Sequence, residues 1–356
     1  MMSSLCRVRA VLEGRIPDRL PVIPQSFMFA AKSGGYNIGQ INRDPAMMAK
    51  CHVESWEKFG YDGCIIDVDD AALAEACGAS VVYREDSVAV VKESTPCLKD
   101  LRDIDFLQMP DPLKDGRLYQ WLETTQRVSE RIGKEALVMG RADQGPFSLL
   151  CLLRGAQQFM IDLITEEENV ILHALEWTAK VHSKFAKAQL EAGAHVTSMG
   201  DAYASPNLIS PAAYHKFAYP MEKQVVEIVQ TQNHPYSIHI CGDTTKIIED
   251  MGKTHAKILE IDWKLDMGVA RRRVPESTIL MGNVNPSDPL YLGTPKQVDE
   301  KVKEIIEKTK GKGVIISSGC ALGANTRPEN MTAMIHAAEK YGSFEQLMQL
   351  QESSGE

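Results

Sequence analysis

Short apolar runs recur along this chain, separated by stretches in which apolar residues fall three and four positions apart. The runs at 20–24, 63–67, 136–142, 195–201, 236–242, 257–262, 278–284 and 313–320 read as strands. Near-continuous apolar runs of this length are what strands of a parallel sheet show when both faces are covered. Helical patterns fill most of the intervals, as at 210–232, 244–255 and 294–310. Ser210-Pro211 and Thr294-Pro295 each set a capping side chain before a proline at the first helical position. Lysines and glycines crowd 308–313, as a helix C-terminus requires. Eight strands alternating with helices predict an α/β fold, a (β/α)8 TIM barrel, as a single domain over residues 1–356.

One interval breaks the rhythm. Residues 68–135, between the second and third predicted strands, are too long for a single crossover. They hold a helical stretch at 71–78 and strand-like pieces at 80–84 and 87–92 joined by Glu85-Asp86. The pattern predicts an insertion or lid region at the barrel top; cover for the barrel's side accounts for it equally well. The tail after Gln351 is small and polar and is expected to fray.

Composition narrows the function classes. The chain has 356 residues and a formal net charge of −9. A nucleic-acid surface needs clustered Lys and Arg, and the densest basic run, Arg271-Arg272-Arg273, is three residues long. It reads as a solvated surface turn, or as an anion or partner contact. No apolar run reaches the ~18 residues of a membrane span, and the start of the chain lacks the apolar stretch of a signal peptide. The expectation is a cytoplasmic protein that binds neither nucleic acid nor membrane. The eight cysteines are scattered without a disulfide-like framework. Six, such as Cys64 and Cys151 amid apolar neighbours, read as small buried hydrophobes.

The chemistry concentrates in Ser237-Ile238-His239-Ile240-Cys241-Gly242-Asp243. Alternate residues of a strand face the same side, so His239 and Cys241 project together with Cα atoms roughly 6.5 Å apart. An imidazole and a thiolate so placed can reach one ion at about 2.0–2.3 Å. Both fall at a C-terminal strand end, where barrels of this class carry their chemistry. The eighth predicted strand ends in Ser318-Gly319-Cys320, at the same lip. Three such ligands leave a tetrahedral ion one open position, and thiolate with imidazole favours zinc over magnesium or calcium. A His-x-Cys pair packed into a core has the same pattern, and the residues alone leave both readings open.

Nearby carboxylates are candidates for supporting roles. Asp201 ends the fourth run, Asp262 and Trp263 end the sixth, and Asp243 follows the thiol. Asp201 and Asp262 are the candidate catalytic groups, orienting His239 or protonating a leaving group; capping the following helices is the alternative. Glu260 and Asp201 are further candidate ligands. Asn283 and Asn285 read as turn-shaping residues, and Tyr203 as a funnel or packing residue.

At these residues the sequence resembles the uroporphyrinogen decarboxylase superfamily, and within it the methylcobamide:thiol methyltransferase branch. The resemblance runs through Gly14-Arg15-Ile16-Pro17-Asp18-Arg19-Leu20-Pro21-Val22, Ala204-Ser205-Pro206-Asn207-Leu208-Ile209-Ser210-Pro211, Ile261-Asp262-Trp263, Gly282-Asn283-Val284-Asn285-Pro286 and Ser318-Gly319-Cys320. The branch is marked by His-x-Cys with a distant second Cys, here His239, Cys241 and Cys320. The decarboxylase branch is similar in fold but holds its tetra-acidic substrate with arginines near the start. The matching stretch here, Pro24-Gln25-Ser26-Phe27-Met28-Phe29-Ala30, has none. That branch also carries a histidine where this chain has Cys320, and Asp69, which aligns with its catalytic aspartate, lies in an acidic run whose role does not carry over.

The resemblance implies a zinc-dependent corrinoid methyltransferase acting between a methylcobamide (cobalamin) and a thiol. It further implies a separate corrinoid protein as partner, because the Asp-x-His-x-x-Gly corrinoid-binding motif is absent. Alternatives are the reverse task, demethylating a methoxy, methylamine or methylthio compound onto the corrinoid, a decarboxylase, and a non-catalytic zinc sensor. A sensor is expected to close its fourth coordination position, and the sequence offers no third nearby cysteine to do so.

Overall fold

The computed structural model describes residues 2–67 and 69–352; the rest of the tail expected to fray lies outside them. Strands are numbered β1 (Gly63–Ile66), β2 (Val81–Val82), β3 (Val90–Val91), β4 (Leu137–Gln144), β5 (Val196–Gly200), β6 (Tyr236–Ile240), β7 (Ile258–Ile261), β8 (Ile279–Val284) and β9 (Val314–Ser318). Seven of them form one sheet in the order β1-β4-β5-β6-β7-β8-β9, every neighbouring pair parallel. The predicted first strand, 20–24, lies between β9 and β1. Ile316 N–H donates to Pro21 O and Ile23 N–H to Ile316 O, both at 2.9 Å, and Asp62 N–H donates to Val22 O at 2.7 Å. It therefore closes a TIM-barrel-like fold, but as an isolated bridge at Val22 rather than a full strand. Pro21 and Pro24 bring no N–H to the ladder, which limits the pairing.

An ionic knot fixes this closure. Asp62, fully buried, accepts from Arg7 (2.6 Å), Arg19 (2.8 Å) and the Val22 N–H (2.8 Å), while Arg7 also donates to Asp18 at 2.7 Å. The Asp18-Arg19 pair of the N-terminal motif thus does structural work at the barrel floor. The helix Ser4–Leu12, capped by Ser3, lies under that floor. Its Leu5, Val8 and Val11 join Ile23, Ile65, Leu137, Met139, Val196, Ile258, Ile279, Met281 and Ile315 in one apolar cluster inside the barrel. A second and larger cluster fills the space between the sheet and its helices.

The long interval after β1 divides in two. Leu118–Ile132 is the crossover helix that a parallel connection demands. Before it come the helix Ala72–Ala76, the two-residue hairpin β2–β3 and a 3-10 turn at Leu101–Phe106. The hairpin stands at the C-terminal end of the barrel, where Lys32 pairs with Asp86 at 2.8 Å and Arg43 covers the Tyr83 ring at 3.9 Å. Elsewhere the expected helices form with shifted ends: Pro295–Thr309 starts with a full Thr294/Gln297 capping box, and 210–232 breaks into Pro211–Ala213, a π turn and Tyr219–Val229. Arg271–Arg273, expected as a turn, closes the helix Met267–Arg273, and Arg271 donates to Thr278 O at 2.7 Å. No single helix among the described residues is long and apolar enough to cross a membrane.

His52 sits in the helix Pro45–Phe59 with its ring buried and Nδ1 unpartnered. Burial pulls its pKa from 6.5 down to about 4. The unfolded chain therefore binds a proton that the fold refuses, and stability falls as pH drops from about 6.5 toward 4. We expect His52→Leu to flatten that slope in urea titrations across this window, removing an acid penalty of about 3 kcal/mol.

Candidate metal centre

The barrel's C-terminal mouth gathers the predicted ligands. His239 and Ser237 face inward on β6, with Ile238 and Ile240 packed on the outer side. Cys241 follows at the strand end and Gly242 turns the chain away with φ +92°; a Cβ there would strike Asn207 and Ser205. Gly319 makes a similar close approach: a Cβ on it would lie 2.5 Å from the Trp263 nitrogen, so only glycine lets the end of β9 carry Cys320 inward. Cys241 Sγ lies 3.3 Å from His239 Nε2 and 3.7 Å from Cys320 Sγ. All three donor atoms fall within 4.8 Å of one another.

The histidine is oriented by the backbone rather than by a carboxylate side chain. His239 Nδ1–H donates to Glu260 O at 3.0 Å, which leaves the Nε2 lone pair facing the two sulfurs. The thiols share their protons unequally. A hydrogen bond from Cys241 pulls Cys320 well below the ordinary thiol range, helped by His239, while that same bond and burial push Cys241 up. Burial works against a charge on His239, and the hydrogen bond to Cys320 outweighs it.

The other candidates are placed differently from one another. Asp201 is fully buried and turned from the thiols: its Oδ1 accepts from Ser148 N–H at 2.7 Å and its Oδ2 from Phe147 N–H at 3.4 Å. Both of its oxygens thereby serve the start of the helix Pro146–Arg154. Burial raises its pKa to about 6. Asp262 stands beside the cluster, but it accepts from Gly242 N–H at 2.8 Å and Lys264 N–H at 2.9 Å, so it fixes the turn that carries Cys241. Burial raises it too, and the charge of Cys320 adds to the shift. Asp243 binds its own turn through Thr245 N–H at 3.0 Å. Asn283 holds the backbone of Asp262 (3.1 Å) and Leu265 (2.6 Å), and Asn285 accepts from Ser287 N–H at 2.9 Å, both as turn-shaping residues should.

Glu260, a candidate ligand in the sequence, points down the barrel instead. It takes Arg141 in a two-pronged pair (2.8 and 3.1 Å) and accepts from Ser237 Oγ at 2.8 Å. Despite burial, the Arg141 charge holds its carboxyl below the usual range. Arg141 was missed in the sequence, as were Asp67 at 3.6 Å from its Nε and Gln144. A charged residue inside an apolar strand run was the signal available. Asp69 is neutralised by Arg117 at 2.7 and 3.2 Å and so is no free acid. A recess of about 1360 Å3, lined by Arg15, His195 and Lys257 among others, lies at the opposite face of the barrel and shares no residue with the thiol cluster.

A parallel barrel here brings an imidazole and two thiols together at its C-terminal mouth, a group of donors that could hold a metal ion. Residues 4–341 match the uroporphyrinogen decarboxylase (URO-D) family, and the chain belongs to that family. The methylcobamide:CoM methyltransferase MtbA of Methanosarcina mazei is 30% identical over 340 residues, covering 94% of this chain and 97% of that protein. A uroporphyrinogen decarboxylase of Parasynechococcus marenigrum is 27% identical, covering 85% and 86%. Among solved structures, a methyltransferase from Methanosarcina mazei superposes with a TM-score of 0.87 over 96% of this chain and 99% of that one, at 23% identity. That likeness supports the fold.

The Arg141–Glu260 pair yields a stability prediction. Arg141→Met leaves Glu260 buried without its cation and should cost about 3–5 kcal/mol in urea unfolding. Adding Glu260→Gln should recover a large part of that loss, because the stranded charge is then gone.

Proposed function

We propose that this protein is a corrinoid-dependent methyltransferase that moves a methyl group between a methylcobamide carried by a partner protein and a small-molecule thiol, with zinc held by His239, Cys241 and Cys320. The observation that carries this reading is the spacing of the three donor atoms. Tetrahedral zinc with bonds of about 2.3 Å to sulfur and 2.0 Å to nitrogen sets sulfurs about 3.8 Å apart and sulfur and nitrogen about 3.5 Å apart. The distances here are 3.7 Å and 3.3 Å. Two cysteines and one histidine are the donor set for such an ion, and Asp201, Asp262 and Glu260 are engaged with other partners.

Zinc bound by two thiolates and an imidazole would supply the positive charge that ionises a thiol of pKa about 8.5 while leaving its sulfur electron-rich. The chain's own part is to place and insulate that chemistry. The Glu260 carbonyl fixes the tautomer of His239, Asp262 fixes the Cys241 turn, and the apolar floor keeps water from reaching the sulfur from below. In the transfer an S–CH3 bond forms as the Co–CH3 bond breaks; cobalt keeps the electron pair and the thiol proton leaves to solvent.

The rim supports a docking partner. Loops that follow β5, β7 and β8 raise Leu208 (57% exposed), Trp263 (41%) and Leu292 (67%) around the mouth. Solvated apolar groups on three loops around one opening suit a protein surface that presents its cofactor there.

Two experiments test this reading. Metal analysis should find about one zinc per chain in the purified protein and a loss of it in Cys320→Ala and Cys241→Ala. The same variants should lose thiol-dependent demethylation of methylcobalamin; a metal-free wild type that still turns over would sink the proposal. With a methylated corrinoid protein as donor, Leu208→Asp and Leu292→Asp should raise KM about tenfold or more, while turnover of free methylcobalamin stays unchanged.

A further inference from the structure

The mouth beside the thiols carries more negative charge than the protein neutralises. β1 and β4 bring Asp67, Asp70 and Asp143 to one quarter of it. Asp67 is only 4% exposed, and its Oδ1 has no partner. The cation it faces, Arg141, is already held by both oxygens of Glu260 and lies 3.6 Å from Asp67 Oδ2. Asp143 spends Oδ2 on Leu73 N–H at 2.6 Å and leaves Oδ1 unpartnered and buried. Asp70 is exposed to the opening, close enough to Cys320 for their charges to interact. Burial first, and repulsion from Asp70 after it, pushes the Asp67 and Asp143 carboxyls above their usual range.

A second, uncharged group points into the same space. A register shift after Arg141, with Asp143 at φ +61°, turns Gln144 to the level of Gly200, which in turn pairs with His239. Gly200 has no side chain, so a gap separates Gln144 from His239. The Gln144 nitrogen is 3.9 Å from where a Cβ on Gly200 would sit and is turned toward Asp70. Its Oε1 is buried, the residue 5% exposed, and has no partner. The unmet groups lining the gap are all acceptors: an amide oxygen and carboxylate oxygens.

We infer that the small molecule methylated here carries a cationic, hydrogen-bond-donating head group, such as an ammonium, which sits between Gln144 and Asp70 while its sulfur reaches the thiol cluster. A sulfonate or carboxylate head would bring acceptors to acceptors and add negative charge where the carboxyl groups already repel one another. The inference rests on the thiol-methyltransferase reading and deepens it.

Three thiols that differ only in head-group charge test it: cysteamine, 2-mercaptoethanol and 2-mercaptoethanesulfonate. With zinc-loaded full-length protein and methylcobalamin, kcat/KM should fall in that order, by about tenfold or more from first to last. Calorimetric Kd values for the same thiols should follow the same order. Asp70→Asn and Gln144→Leu should narrow the cysteamine-to-sulfonate ratio, a comparison in which the intrinsic reactivity of each thiol cancels. A wild type that prefers the sulfonate, or a ratio unmoved in both folded variants, overturns the inference. Should the variants not fold, the wild-type order alone decides it. If no thiol is methylated, the thiol-transfer reading falls, and the calorimetric order still settles the charge preference.

Discussion

Glu260 sits where the interior of the barrel changes from apolar to charged, and the site is built around that change. Its carboxylate locks Arg141 and Ser237 beneath the mouth. Its backbone oxygen takes the Nδ1 proton of His239. One residue thereby sets both the electrostatics under the thiols and the nitrogen that the imidazole offers to them. A buried ion pair of this kind adds little net stability. Its value is geometric, since neither partner can move without stranding the other's charge.

The same economy appears at the lower end. Asp62 gathers two arginines and a backbone N–H, and in doing so pins the proline-limited segment 20–24 between β9 and β1. Closure matters to the site because Cys320 comes from the strand next to that seam, whereas His239 and Cys241 come from β6 on another wall. Three donor atoms from two walls can meet only if the ring is shut and each strand keeps its register. Gly242 and Gly319 finish the arrangement by letting the chain turn where a side chain would collide.

Much of this was legible in the sequence. Seven apolar runs became the strands of one parallel sheet, and the eighth closes it. The alternation in His239-Ile240-Cys241 foretold which side chains share a face, because pleating is local and has a fixed period. What stayed hidden depends on partners distant in the chain. Whether Asp201 faces a metal or a helix start is decided by Phe147 and Ser148; whether Glu260 is a ligand or an ion pair is decided by Arg141. The predicted third strand was ended at 142, before the bulge that brings Gln144 inward, since a register shift leaves no mark in hydrophobic pattern. The acidic run 67–70 was visible, but how its charges are shared was not: that required seeing Arg117 pair with Asp69 while Asp67 has only a distant share of Arg141.

The apolar plug under the barrel, with Leu5, Val8 and Val11 sealed against the inner strand residues, closes its lower end and leaves the mouth as the way in among the described residues. Anything that reacts at the thiols must come and go past Leu208, Trp263 and Leu292. A protein seated on that rim would shut the chamber behind it. Were a partner to dock there as proposed, a small molecule would have to enter before it arrived and its product would wait until it had gone, an order of events set by the floor of the fold.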